Sequence, residues 1–559
     1  MPPHLGKLKN LKVVMNSFKV GHGKEFGIQR LGELNNLHEG LSIGELQNIE
    51  NSLDAIEANL KNKTLLVNLN LRWGRNGNSI DSKEEENVIE NLQPSKNLKE
   101  LSIFNYGGKK FPNWLLNNSL LNLVSLVLSN CQSCHRFPPL GLLPFLKKLE
   151  ISGCDEIVSI DADFHGNKSS SFKSLQTLYF SNMRQWEKWE CKVVTGAFQS
   201  LHRLSISSCP KLKGQLPEQV VPLETLHIRY CQQLEASAPR ALHLELYDCG
   251  KLKLDWITMK SLTMGGHNME ASLLEMIGSD TLERLEIEQS ICDDSVSLKT
   301  FPLDCFPTLK TLNLNACGNL HLISQDRVHN HLKDLTIKEC LQFESLPRNM
   351  RMLLPSLRYL WIQHCPRLET FNDGGLPSNL EHLIIIKCSE LQSLPANMHM
   401  LLLSLTRLWI EDCPRIELFP NGGLPSNLEE MKLNNCSRLV GSLKGAFRDR
   451  SSLESLWIEE LDAKCFPDEG LLPFSLTSLT IRDCSNLEKL DYKGLYQLSS
   501  LKLLILVNCP NLQCLPEEGL PRSISDLCIT NCSLLEQRCQ KEGGEDWEKI
   551  AHIRNLHIL

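Results

Sequence analysis

The chain has 559 residues, 42% of them hydrophobic and 22% charged, with a formal net charge of -7. That balance suits an ordinary globular fold and excludes a general basic surface for nucleic acid or anionic lipid. No apolar run approaches the ~18 residues of a membrane span, and twenty-two cysteines in a long chain without a secretion signal read as reduced thiols in a cytoplasmic setting.

The opening "MPPHLGKLKNLKVVMNSF" carries lysines among its leucines and lacks the apolar core and cleavage site of a signal peptide. The first clear strands are "LVNLNLRW" (66–73), "LKELSIFNY" (98–106) and "LVSLVLSNC" (123–131). Between the first two, "SKEEENVIENLQPSKN" has a charged start and apolar Val88, Ile89 and Leu92, which predict a convex helix ending near Pro94. "CQSCH" at 131–135 resembles half a metal site, but no second C-x-x-C is present to join Cys131 and Cys134 in a four-ligand zinc centre.

Fourteen cysteines obey one pattern, L-x-x-L-x-I/L-x-x-C, as in "LKKLEISGC" ending at Cys154, "LETLHIRYC" at Cys231 and "LKDLTIKEC" at Cys340. From Cys340 onward the spacing alternates between 25 and 23 residues, with Leu461 in the one slot that lacks Cys. The unit is thus about 24 residues, within a double unit of 48. This is the leucine-rich-repeat signature, which admits Asn or Cys at the ladder position. In L-x-I the apolar side chains face one way and x the other. One such strand cannot bury its apolar face alone, so neighbours stack around a continuous core. The small, weakly polar Cys turns inward and reaches backbone groups.

Proline follows seven residues after several of these cysteines, at Pro138, Pro347, Pro395, Pro420 and Pro516, and interrupts any long helix there. The expected fold is α/β: a horseshoe-shaped leucine-rich-repeat solenoid of roughly twenty repeats. Its parallel sheet lines the concave face, and its convex side is mostly irregular, with short helices and turns. Irregular N-terminal repeats should occupy 1–95, repeats of variable length 96–300, regular repeats 301–533 and a C-terminal cap 534–559. In that cap, Trp547 and Ile550 of "GEDWEKIAHIRNLHIL" should cover the last repeat. At the other edge only "PPHLGKLKNLKVV" is available as a shield, so the isolated chain is expected to be poorly soluble.

Ladder cysteines of adjacent repeats should sit about 4.8 Å apart, but their parallel Cβ vectors and a reducing compartment argue against disulfides. The chain has no G-x-x-x-x-G-K-[ST], G-x-S-x-G or H-E-x-x-H, so no cofactor, no metal and no enzymatic activity are expected. Two of the sequons, at Asn435 and Asn531, have the ladder cysteine as their middle residue, where a glycan would crowd the sheet edge.

A tryptophan recurs at 48-residue intervals in "LRYLWIQHCPRLETF" (357–371), "LTRLWIEDCPRIELF" (405–419) and "LESLWIEELDAKCF" (453–466). Trp361, Trp409 and Trp457 occupy x of L-x-I, so they should be exposed on the concave face, about 10 Å apart. Duplication explains their origin, as the repeated "GGLPSNLE" at 374–381 and 422–429 also shows. Tryptophan is also enriched at binding hot spots. The candidate protein-binding surface therefore comprises the three tryptophans, Ile384 and Lys432 between them, and a margin of Gln363, Glu411 and Glu459. The competing reading is packing among neighbouring side chains.

Three stretches carry a family resemblance: "NLHEGLSIGELQNIENSLDAIEANLKNKTLLVNLNLRW" (36–73), "ENLQPSKNLKELSIFNYGGKKFPNWL" (90–115) and "LLEQRCQKEGGEDWEKIAHIRNLHIL" (534–559). They resemble the leucine-rich-repeat half of plant intracellular disease-resistance receptors with coiled-coil and NB-ARC domains. The resemblance implies a recognition and autoinhibition module in plant immunity. Its partners would be pathogen effectors, host proteins that effectors modify, and the NB-ARC domain of the parent receptor. The family's coiled coil, P-loop, kinase-2-like aspartates and MHD motif are missing from this sequence, so nucleotide binding is not expected of it. The alternative is a repeat scaffold that selects substrates for a ubiquitin ligase, which would need an F-box-like helix pair that residues 1–60 do not show.

Overall fold

Each apolar run forms a short strand in which buried and outward residues alternate. In Tyr359–Gln363, Leu360 and Ile362 are fully buried while Tyr359, Trp361 and Gln363 are half-buried on the other face. The strand then ends in the same turn throughout. Before all fourteen ladder cysteines the preceding residue is left-handed, with φ between 47° and 60°. That single residue reverses the side-chain direction and sends the cysteine inward.

The structure, a computed structural model, describes residues 12, 18–22, 27–74, 82–117, 119–166, 171–190, 197–216, 222–254, 256–266, 280–289, 299–371, 375–447 and 451–559. The chain divides into two compact units, Met1–Glu275 and Met276–Leu559. Among the described residues the first holds eleven parallel sheet strands, from Phe18–Lys19 to Ser261–Gly265. The second holds twelve, from Arg284–Glu288 to Asn555–Ile558. In both units each strand pairs with the next repeat, so each is a leucine-rich-repeat solenoid with the core on one side of its sheet.

The ladder cysteines are buried free thiols. Their sulfurs sit among backbone carbonyls. Cys249 Sγ lies 3.2 Å from Tyr247 O and 2.9 Å from Ile228 O of the preceding repeat. Cys436 Sγ stands likewise 3.1 Å from Asn434 O and 3.8 Å from Ile410 O. The sulfur also accepts: Leu461 N–H donates to Cys484 Sγ at 3.4 Å. Burial pushes the Cys249 thiol up to about 12 and Cys436 up to about 11, which keeps both protonated.

The side away from the sheet is built as the prolines imply. Its longest described helix is Ser82–Asn91, with Val88, Ile89 and the following Leu92 buried. Other described α-helices have four to six residues. The charged start of the long helix does more than face water. Glu85, Glu86 and Glu90 accept the backbone N–H groups of Gly107 (2.6 Å), Lys109 (2.9 Å) and Asn113 (2.7 Å), fixing the loop of the next repeat.

At the C-terminus the chain adds a strand, Asn555–Ile558, parallel to Asp526–Thr530. Ile550 is buried and Trp547 half-buried. The main fastening is Asp546, fully buried, which accepts from Leu515 N (3.0 Å), Arg538 Nε (3.0 Å) and Lys549 Nζ (2.7 Å). Burial alone would raise its carboxyl, but the hydrogen bonds from Arg538 and Lys549 prevail and hold it below the ordinary value. The N-terminal "PPHLGKLKNLKVV" lies outside the described residues except for Lys12.

Removing one partner of a buried ion pair strands the other charges, so Asp546→Asn should cost about 3 kcal/mol at neutral pH. A depressed carboxyl stabilises the fold above its unfolded value of 3.8, and that stability is lost as pH falls through the lower folded value. The gap in urea midpoint between mutant and wild type should therefore narrow below pH 3.8.

Candidate protein-binding face of the sheet

In the second unit the x positions line up in strict register across the strands. Thr336 pairs with Trp361, Trp361 with Ile384, Ile384 with Trp409, Trp409 with Lys432, and Lys432 with Trp457. The row continues through Thr480, Ile505, Cys528 and His557. All three tryptophans thus share one line on the sheet face opposite the core, two strands apart.

They are less exposed than the sequence implies. Trp361, Trp409 and Trp457 are each half-buried, and Ile384 retains only 6% of its surface. The reason is the strand spacing: at about 4.8 Å, an indole on one strand overlies its shorter neighbours. Packing and exposure therefore coexist in these residues.

Charged groups complete the face. Lys338 Nζ sits 3.2 Å from the centroid of the Trp361 ring, a cation–π contact. Burial lowers the Lys338 ammonium below its ordinary value, with Glu286 opposing. Lys432 Nζ pairs with Glu459 at 2.8 Å, so Glu459 is compensated rather than a free part of an acidic margin. Gln363 and Glu411 are half-buried on the same margin. Asp412 accepts from Asn435 at 2.7 Å, and Glu460 is exposed beside Glu459. The buried indole N–H donors of Trp361 and Trp409 have no acceptor among the described residues.

Sequence reasoning missed Lys338, Asp412 and Glu460. Lys338 was recoverable: in "LKDLTIKEC" it follows Ile337, and register sets it beside Gln363, two residues beyond Trp361. The equivalent row of the first unit differs in kind. It reads Ser42, Asn70, Ser102, Val127, Glu150, Tyr179, Ser205, His227, Glu245 and Thr263, with Tyr179 its one Phe, Trp or Tyr. Cys131 and Cys134 are both core residues, and Cys134 Sγ donates to Gly108 O at 3.1 Å. Among the described residues no group of three or more His, Cys, Asp or Glu is placed to hold a metal. No described helix is long and apolar enough to cross a membrane.

Comparison with known proteins agrees with the repeat geometry. Residues 28–154 match the family model for R13L1/DRL21 leucine-rich repeats, and residues 94–232 match that for the leucine-rich repeats of RPS2-like plant disease resistance proteins. Residues 28–232 are thus similar to leucine-rich repeats of plant disease-resistance proteins. The disease resistance RPP13-like protein 1 of Arabidopsis thaliana is 32% identical over 341 residues, covering 57% of this chain and 29% of that protein. Disease resistance protein RGA2 of Solanum bulbocastanum is 30% identical over 268 residues, covering 44% of this chain and 26% of that protein. The chain thus spans less than a third of the length of either resistance protein. The crystal structure of a TLR13–ssRNA13 complex overlays 90% of this chain and 61% of that one at 15% identity, with a TM-score of 0.34, too loose a match to place any residue.

Half-burial of the tryptophans sets what each adds to the stability of its repeat. Trp361→Ala removes the Lys338 contact and part of the cover over Ile384. It should lower stability by about 1 kcal/mol. Leu360→Ala, one residue away, empties core space and should cost about 2–5 kcal/mol. Urea unfolding of the two variants should keep that order.

Proposed function

We propose that the chain is the recognition module of a plant immune receptor and acts in the cytoplasm. In this reading the Trp361–Trp409–Trp457 face binds a pathogen effector or a host protein that an effector modifies. The repeats also restrain a nucleotide-binding switch carried in the same receptor, through its NB-ARC domain. The chain itself performs no chemistry: its polar groups serve as contacts, and its ladder thiols are committed to the core.

The observation that carries this reading is the tryptophan row. Three indoles aligned on one sheet face, flanked by Ile384, Lys432, Gln363, Glu411 and Glu459, form an apolar strip with charged borders. Such strips on soluble proteins mark interaction surfaces, and tryptophan is the residue type most often decisive in them. The plant-defence setting follows from the resistance-type repeats of the relatives.

The test is a full receptor carrying Trp361→Ala, Trp409→Ala and Trp457→Ala together. A hot-spot tryptophan is worth about 2 kcal/mol or more, so each change should weaken binding roughly 30-fold. The cell-death response should be lost while the protein accumulates normally in leaf tissue. A response of wild-type strength would place recognition elsewhere.

A further inference from the structure

The tryptophan row is a ridge-and-cleft surface, and its pitch selects what can lie on it. The indoles stand on alternate strands, about 9.6 Å apart at twice the strand spacing. Between Trp361 and Trp409 the row holds Ile384, only 6% exposed beneath the indoles, and between Trp409 and Trp457 the stem of Lys432, so the clefts between the ridges are shallow. Each cleft therefore takes one apolar side chain.

A polyproline-II segment rises about 3.1 Å per residue with three residues per turn, so residues i and i+3 point the same way about 9.3 Å apart. That matches the cleft spacing. An α-helix puts i and i+7 about 10.5 Å apart, a similar pitch. Its residues i+3 and i+4, however, share that face and would strike the Trp409 ridge between the clefts. An extended segment instead turns its intervening side chains away and presents backbone to the ridge.

Charge sets the direction. Beside Trp409 and Trp457 stand Glu411, Asp412, Glu460 and Asp483. The carboxylates of Asp412 and Asp483 meet only the neutral amides of Asn435 and Asn508 in their hydrogen bonds. Arg482 is the opposing charge on that margin, and Glu459 is taken up by Lys432. Beside Trp361 the margin gains cations, with Lys338 stacked on the ring and Lys387 one repeat on, while Glu339 is taken up by His364 at 2.5 Å.

We propose that this face binds an extended, proline-rich segment of a partner protein. The segment carries two apolar residues three apart and a Lys/Arg-rich flank at its Trp457 end. The inference rests on the protein-binding reading above and adds the chemistry of the occupant.

A phage library of random dodecapeptides panned against the full chain tests it. Counter-selection uses the W361A/W409A/W457A chain. Survivors should share two apolar residues three apart, nearby proline and a basic flank, and their binding should fall several-fold with Glu411→Lys plus Glu460→Lys. Thermal midpoints of these variants confirm that each is folded. Survivors with helical spacing that still depend on the tryptophans would overturn the extended-segment proposal and leave the binding face standing. Survivors indifferent to the tryptophans, or none at all, would overturn both.

Discussion

The fold depends on one backbone event repeated down the chain: a single left-handed residue between the strand and the ladder position. Without it the residue after L-x-I-x-x would point outward with the pleat, and no repeat could close over its neighbour. Left-handed geometry costs roughly 1–2 kcal/mol for an ordinary residue, and here it is imposed on Glu339, His364, Lys387 and even Tyr230. What offsets it is cross-repeat bonding. The left-handed residue donates its N–H to the next strand, as Glu339 does to Gln363 O at 2.9 Å, and the ladder thiol then reaches carbonyls of two repeats.

This arrangement explains why cysteine suits the ladder. Its sulfur is small enough to fit beneath the turn, donates weakly and accepts weakly, and carries little desolvation cost when the geometry is imperfect. Where the first unit lacks Cys at this position it uses larger side chains such as Leu46, Tyr106 and Met183, and the Tyr106 ring lies 5.1 Å from Trp73 and 6.2 Å from Phe111. Core space, not chemistry, decides the residue. The outward face is free of that constraint, which is why it can carry serine and threonine in one unit and a tryptophan row in the other.

The repeat unit, the parallel sheet, the helix at Ser82–Asn91 and the inward cysteines were legible in the sequence because a period of 23–25 residues is a strong signal. Strands without Cys were harder to see. Glu39–Gly44 and Thr177–Ser181 carry the apolar pair but have Leu46 and Met183 at the ladder position, Arg284–Glu288 is followed by Ser290 in the sequence, and Asn555–Ile558 was concealed within the expected cap. The left-handed position was also hidden, since only some of its residues are Asn, Asp or Gly. For the candidate site, the sequence placed the tryptophans on the correct face but not their depth. Half-burial arises from neighbours on adjacent strands, and the pairing of Lys432 with Glu459 lies between residues 27 apart.

The central claim is that the ladder thiols are locked, unreactive parts of the core. Native-state alkylation of the full chain with iodoacetamide, followed by peptide mass spectrometry without reduction, tests it directly. Exposed Cys465 should be modified quickly, while Cys365, Cys388, Cys413 and the other ladder cysteines stay unmodified and unpaired until the protein is unfolded. Ladder cysteines labelled as fast as Cys465, or recovered as disulfides with each other, would contradict the account.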